Sequence, residues 1–268
     1  MTDIKLAVET ISKYLRVHSP PIALKWVDNL EKLPQGVQRP SEYGGQMAFC
    51  QIFSIVRKWD LAFAVEPENI NCVAALLSLG WGDLAEGLNK KEEYADFVVN
   101  AGYIKDRETA MKNLDENSPL MKEEKISAKA LIVAPLESET IPDPDVIVIY
   151  GNPAQMSRMA QAMIYSEGTA VELSADFGIS CFREMVTPML ENKAVFVTPG
   201  RGARILAGIG DDEMAFSLPV GKLDSLLTGL KITHENGTRY PINQSLFFEP
   251  TYWDAIEKLR TKMQKMDS

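Results

Sequence analysis

Apolar residues recur along this chain at two periods, and the switches between them divide it into elements. Near the start, Ile4, Val8, Ile11 and Leu15 fall at helical spacing and predict an amphipathic helix in "DIKLAVETISKYLRV". "PPIALKWVD" then reads as a strand, its apolar residues following a pair of prolines. A proline- and glycine-rich loop, "LPQGVQRPSEYGG", leads into a helix over "QMAFCQIFSIVRKW". "LAFAVEP" restores the strand pattern, and a helix opened by Cys72 follows in "EPENINCVAALLSLGWG".

The order returns further along. "DVIVIYG" is a continuous apolar strand and "NPAQMSRMAQAMIYSEG" a helix, with Asn152 as N-cap, Pro153 at the first helical position and Gly168 as the stop. "TAVELSADFG" reads as the next strand, and Cys181 opens the helix of "DFGISCFREMV". Strand, helix, strand, cysteine-headed helix thus occurs twice, a weak internal duplication. The halves are expected at about 1–82 and 128–232, with a lysine- and glutamate-rich helical excursion or lid over 83–127. "KAVFVTPGRGARILAGIGDDEMAFSLP" reads as two or more strands around a glycine-rich turn, "VGKLDSLLTGLKIT" as a further helix, and "YWDAIEKLRTKMQKM" as a terminal surface helix. The predicted class is α/β (mixed α+β): two related β-α-β-α halves packed as one compact unit with a helical insertion.

Composition narrows the function classes. With 46% hydrophobic and 24% charged residues, the chain has the balance of a globular protein rather than a disordered one. A net charge of -9 and a pI near 4.9 argue against nucleic acid and against an anionic membrane surface as partners. No basic, apolar leader and no membrane-length apolar run stand out, so a cytoplasmic location is expected. Three cysteines are an odd count without a small-domain disulfide framework, which favours reduced thiols or metal ligands.

Asn71 and Ser180 are good N-cap residues, and each immediately precedes a cysteine. That arrangement puts Cys72 and Cys181 in the first turn of a helix, where the dipole favours a thiolate suited to nucleophilic attack or to a soft metal. The plainer alternative is that free cysteine packs as a small apolar side chain. Cys50, expected in mid-helix, would by itself be core. Jointly the three could supply the cysteines of an iron–sulfur cluster and leave one iron without a protein thiolate. Zinc is less favoured, because closed structural sites take four ligands and only two histidines are present. His18 and His234 read as ordinary surface or boundary residues. Gly200 and Gly202 could bring backbone amides to an anion and Arg204 could clamp it, although a β-hairpin turn explains the same residues. The acidic run Asp211, Asp212, Glu213 reads as solvated turn charge rather than a cation site.

"FCQIFSIVRKW", "ENINCVAALLSLGWG", "VIVIYGNPAQMSRMAQAMIYSEG", "SCFREMVTPMLENK" and "DEMAFSLPVGKLDSLLTGL" together resemble the family of domain of unknown function 169, in order and over nearly the whole chain. Such proteins are common in archaea and in anaerobic or metabolically versatile bacteria, and the family carries no settled activity. The resemblance places Cys50 and Cys72 on cysteines of the family's first block, Cys181 on that of its second, and Arg204 on an arginine after the glycine-rich turn. Some relatives resemble Gly-Cys-x-Gly-Cys-Arg at that turn, where this chain has Pro199-Gly200-Arg201-Gly202-Ala203-Arg204. The resemblance therefore implies at most three thiolates and one open position.

Three readings follow from these residues. In the first, an iron–sulfur protein or enzyme of the dehydratase or small-reductase type carries a 4Fe–4S cluster on Cys50, Cys72 and Cys181. It would hold a small anionic metabolite on Gly200, Gly202 and Arg204. In the second, a cofactor-free module binds such a metabolite between the halves and its cysteines are reduced and structural. In the third, Cys72 or Cys181 is a nucleophile. A homo-oligomer stays open under all three.

Overall fold

Alternation along the strands sorts their side chains onto two faces of one sheet, and each face is covered by helices. The computed structural model describes residues 3–28, 30, 33–81, 90–121, 128–138, 140–176, 178–241 and, near the C-terminus, Glu257, Arg260, Thr261 and Gln264. In chain order the elements are α1 (Ile4–Leu15), β1 (Ile22–Val27), β2 (Val37–Gln38), α2 (Phe49–Trp59), β3 (Ala62–Val65) and α3 (Val73–Ser78). Then come α4 (Lys90–Asn100), α5 (Arg107–Met121), β4 (Ala130–Pro135), β5 (Val146–Gly151), α6 (Pro153–Glu167) and β6 (Glu172–Ser174). The series closes with α7 (Ser180–Glu191), β7 (Val195–Val197), α8 (Arg201–Ala207), β8 (Met214–Pro219) and α9 (Leu223–Glu235). The fold is mixed α/β, as the alternating pattern predicts. Most of the expected terminal helix lies outside the described residues.

The eight strands form a single sheet in the order β2-β3-β4-β1-β5-β8-β7-β6. Read inward from either edge, each half contributes its second, third, fourth and first strand, and the two first strands, β1 and β5, meet antiparallel at the centre. Each edge pair, β2 with β3 and β6 with β7, is parallel, and the other pairings are antiparallel. The sheet thus has the connectivity of a duplicated unit with an approximate two-fold axis between β1 and β5. β4, which follows the helical excursion, is the fourth strand of the first unit, as β8 is of the second.

Leu24, Val133, Val148, Tyr150 and Val197 point to one face, against α2, α3, α4, α5, α7 and α8. Ala23, Ile132, Ile147, Ile149 and Leu218 point to the other, against α1, α6 and α9. The helical excursion is more than a solvated lid, because Tyr94, Ala95 and Val98 of α4 and Ala110 and Leu114 of α5 are buried in the first core. None of the described helices is long and apolar enough to cross a membrane.

α6 forms as its cap residues dictate. Asn152 accepts from the Gln155 amide at 3.0 Å, Gln155 accepts from the Asn152 amide at 2.8 Å, and Gly168 closes the helix with φ 71°. "TPGRGAR", in contrast, does not turn a hairpin: Gly200 caps a helix, α8, and the reversal to β8 comes after Gly208 at φ 62°. Glycine at the cap and again at the second helical position obscured that helix, since its helix propensity is low.

Candidate functional site

Three helix starts on the first face carry the three cysteines. Cys50 is the second residue of α2, in its first turn rather than mid-helix, and Cys181 is the second residue of α7. Cys72 is itself the N-cap of α3, one position earlier than Asn71 would place it. The connectivity therefore pairs Cys50 with Cys181, and Cys72 with Gly200, the N-cap of α8. An expected equivalence of Cys72 and Cys181 is thereby corrected, because the helix between β2 and β3 corresponds to the helix between β6 and β7.

Local bonds tie these starts together. A parallel bridge joins Met47 to Ile70, with the Met47 amide donating to Asn69 at 2.9 Å and the Asn71 amide to Met47 at 3.2 Å, so the loops before Cys50 and Cys72 run side by side. In the other half the Gly200 amide donates to Ser180 Oγ at 3.2 Å, linking the start of α8 to that of α7. Asp176 accepts from the amides of Gly178 and Ile179 and shapes the turn into α7.

All three cysteines are half-buried residues with free, unbridged thiols. Burial pushes the Cys50 thiol up to about 12, and the charges of Cys72 and Glu184 act in the same direction. Cys181 is raised well above the ordinary thiol range, first by desolvation and then by Glu184, Cys50 and Cys72. The residue as a whole is half-buried, yet the protein around its thiol is dense enough for desolvation to dominate. A Cys72 thiolate would thus disfavour ionisation of Cys50, and either would disfavour that of Cys181.

Glu184, buried and three residues after Cys181, completes this environment. Desolvation raises its carboxyl to about 7, against the opposing hydrogen bond from Tyr150 and the charge of Arg57. Tyr150 Oη donates to Glu184 Oε2 at 3.1 Å, and the Arg57 guanidinium lies 4.0 Å from the centre of the Tyr150 ring. Arg57 also donates to Ser19 Oγ at 2.9 Å and pairs with Glu213. Glu213 is therefore an ion-pair partner rather than solvated turn charge. Neither Glu184 nor Arg57 was singled out from the sequence, although helical spacing carries the signal: Glu184 is i+3 from Cys181 and Arg57 is i+7 from Cys50.

The glycine-rich segment contributes less to a ligand site. Arg204 Nη1 donates to the Gly210 carbonyl and Nη2 to that of Glu213 at 3.3 Å, so both nitrogens brace the loop into β8. Gly202 has open space where a Cβ would stand.

The model of the domain of unknown function 169 family, described as uncharacterised ArCR, matches residues 10–229. The chain belongs to this family. One of its relatives, the uncharacterized protein MJ0308 of Methanocaldococcus jannaschii, is 28% identical over 235 residues, which cover 86% of this chain and 95% of that protein. No solved structure gives a significant match.

This member of the family presents soft donors only in part of a symmetric frame. Of four related helix-start positions, three carry cysteine and the fourth carries Gly200. Among the described residues, no three His, Cys, Asp or Glu side chains surround one point closely enough to hold a single metal ion.

Proposed function

We propose that this protein is an iron–sulfur protein in which Cys50, Cys72 and Cys181 hold a 4Fe–4S cluster with one iron free of protein thiolate. On this reading it acts on a small anionic metabolite in the manner of a dehydratase or small reductase. One observation supports the reading above others: three cysteines far apart in sequence meet at helix starts on one face, within electrostatic reach of one another. Uncompensated, ionisation of Cys50 and Cys181 is disfavoured; a metal core that takes the cysteines as thiolates removes that penalty. The raised pKa of Cys181 counts against that residue as a lone nucleophile, which needs a readily formed thiolate.

When bound, the cluster would supply a Lewis-acidic iron at its open position. The chain's own groups supply the rest. Glu184 can hold or release a proton near neutral pH, and Tyr150 fixes the orientation of its carboxyl. Arg57, stacked on the Tyr150 ring, supplies a positive charge that acts on Glu184.

A second reading, a cofactor-free metabolite-binding module with reduced structural cysteines, draws support from the packing of all three cysteines against the apolar core of the first face. Anaerobic purification separates the two. The cluster reading expects a brown protein with iron and sulfide, and loss of both in Cys50→Ser, Cys72→Ser and Cys181→Ser. A colourless chain that takes up neither after incubation with ferrous iron and sulfide would overturn it in favour of the second.

A further inference from the structure

On the opposite face of the sheet, α6 carries a charge at a core position. Arg158 is 1% exposed, flanked on its helix by buried Gln155, Met159 and Ala162. Its Nη1 donates to Gln161 Oε1 at 2.9 Å, and its Nη2 to Thr233 Oγ1 at 3.0 Å and to the Leu230 carbonyl at 3.4 Å. Nε is buried and has no hydrogen-bond partner. Among the described residues no carboxylate pairs with Arg158, and desolvation lowers its pKa with no opposing negative charge. A buried guanidinium is ordinarily paired, because an unpaired one carries a large desolvation cost.

A pocket of about 270 Å³ opens against it, lined also by Ser157, Gln161, Thr238 and Arg239. Arg239, exposed at the rim, has no ion-pair partner among the described residues. The electrostatics of the neighbourhood are consistent with a positive pocket. His234 is lowered first by burial and then by the charges of Arg239, Arg158 and Lys13, with only Glu235 opposing. Its Nδ1 is likewise buried without a partner. A chain of net charge -9 therefore lines one cavity with two arginines, whose charges reach the neighbouring His234.

We propose that this pocket binds a phosphate dianion, free or borne on a small metabolite, with Arg158 at its floor and Arg239 at its rim. With both its Nη atoms engaged by Gln161, Thr233 and Leu230, Arg158 contributes its charge. Arg239 contributes a guanidinium fork that matches phosphate oxygens, and an anion here would supply the counter-charge that Arg158 lacks. The site lies apart from the cysteines and does not depend on their role.

The test uses the full chain and the two histidines as reporters, with His234 distinguished from His18 by a His18→Gln variant. Inorganic phosphate titrated at constant ionic strength should raise the His234 pKa saturably, as followed by NMR, and leave His18 unmoved. Arg239→Ala should weaken the phosphate dissociation constant about tenfold, the scale of one charge-assisted contact. Arg158→Met, which removes the charge, should weaken it at least as much if that variant folds. Tighter binding of glycerol phosphate than of inorganic phosphate would identify a metabolite as the source, and equal binding the free ion. The proposal is overturned if chloride shifts His234 as much as phosphate does, or if Arg239→Ala binds phosphate like the wild type.

Discussion

At Glu184, burial lifts the carboxyl from 4.5 to about 7, outweighing both the Tyr150 hydrogen bond and Arg57. Folding therefore favours the protonated acid. That contribution is fully present below about pH 4.5, fades as pH rises towards 7, and is lost above it. A displacement of that size between the unfolded and folded carboxyl corresponds to a few kcal/mol, on the order of one to two per tenfold change in proton affinity. Glu184→Gln keeps an acceptor for Tyr150 but cannot ionise. In the metal-free protein the variant should match the wild type in mild acid and exceed it in stability above neutral pH. Urea midpoints across that range check this, and parallel pH profiles for the two proteins would refute it. The residue was within reach of the sequence, since Cys181 and Glu184 share a helix face. Its burial was not, because Tyr150 and Arg57 reach it from a strand and a helix remote in the chain.

Among the elements, the α6–α9 pair owes its close approach to one missing side chain. A Cβ on Gly229 would stand 2.0 Å from the Ala162 carbonyl oxygen, a backbone atom that cannot move aside alone. Gly229→Ala should therefore cost about 1–3 kcal/mol by overpacking. Gly202→Ala in α8 meets nothing within 4 Å and should be neutral or stabilising by up to about 1 kcal/mol. Thermal melts of the two variants should move in different directions, and a neutral Gly229→Ala would contradict the packing described. Gly178 presents a third case, because a Cβ there would fall 1.9 Å from Tyr94 Oη. Gly178→Ala should push α4 away from the turn into α7 and make Cys181 react faster with a thiol reagent; an unchanged rate would show that the turn adapts. Helices with strong local signals, such as α6 with its paired caps, were legible to the residue. α8 was not, being short and glycine-bearing, and β6 shrank to Glu172–Ser174 at the sheet edge.

Across the whole molecule, repetition was legible but its register was not. Strand and helix recur in the sequence, yet nothing local shows that β4, beyond the long excursion, completes the first unit or that β1 meets β5 at the centre. Those pairings decide which helix starts correspond, and so which residues share a site. They place Gly200 where the other half has Cys72: both are N-caps in extended conformation, with φ -66° and -104°. A negative φ accommodates any L side chain, so the backbone at buried Gly200 sets no bar to Gly200→Cys, and a variant whose circular dichroism and melting match the wild type adds a fourth thiol to the frame. If the three native cysteines ligate a cluster, incubation with ferrous iron and sulfide should protect all three from alkylation in the wild type. In the variant the introduced thiol should be protected with them. Mass spectrometry after alkylation counts the modified sites directly. An introduced thiol that stays reactive while the native ones are protected would mean that the two-fold relation of strands does not extend to the ligand positions.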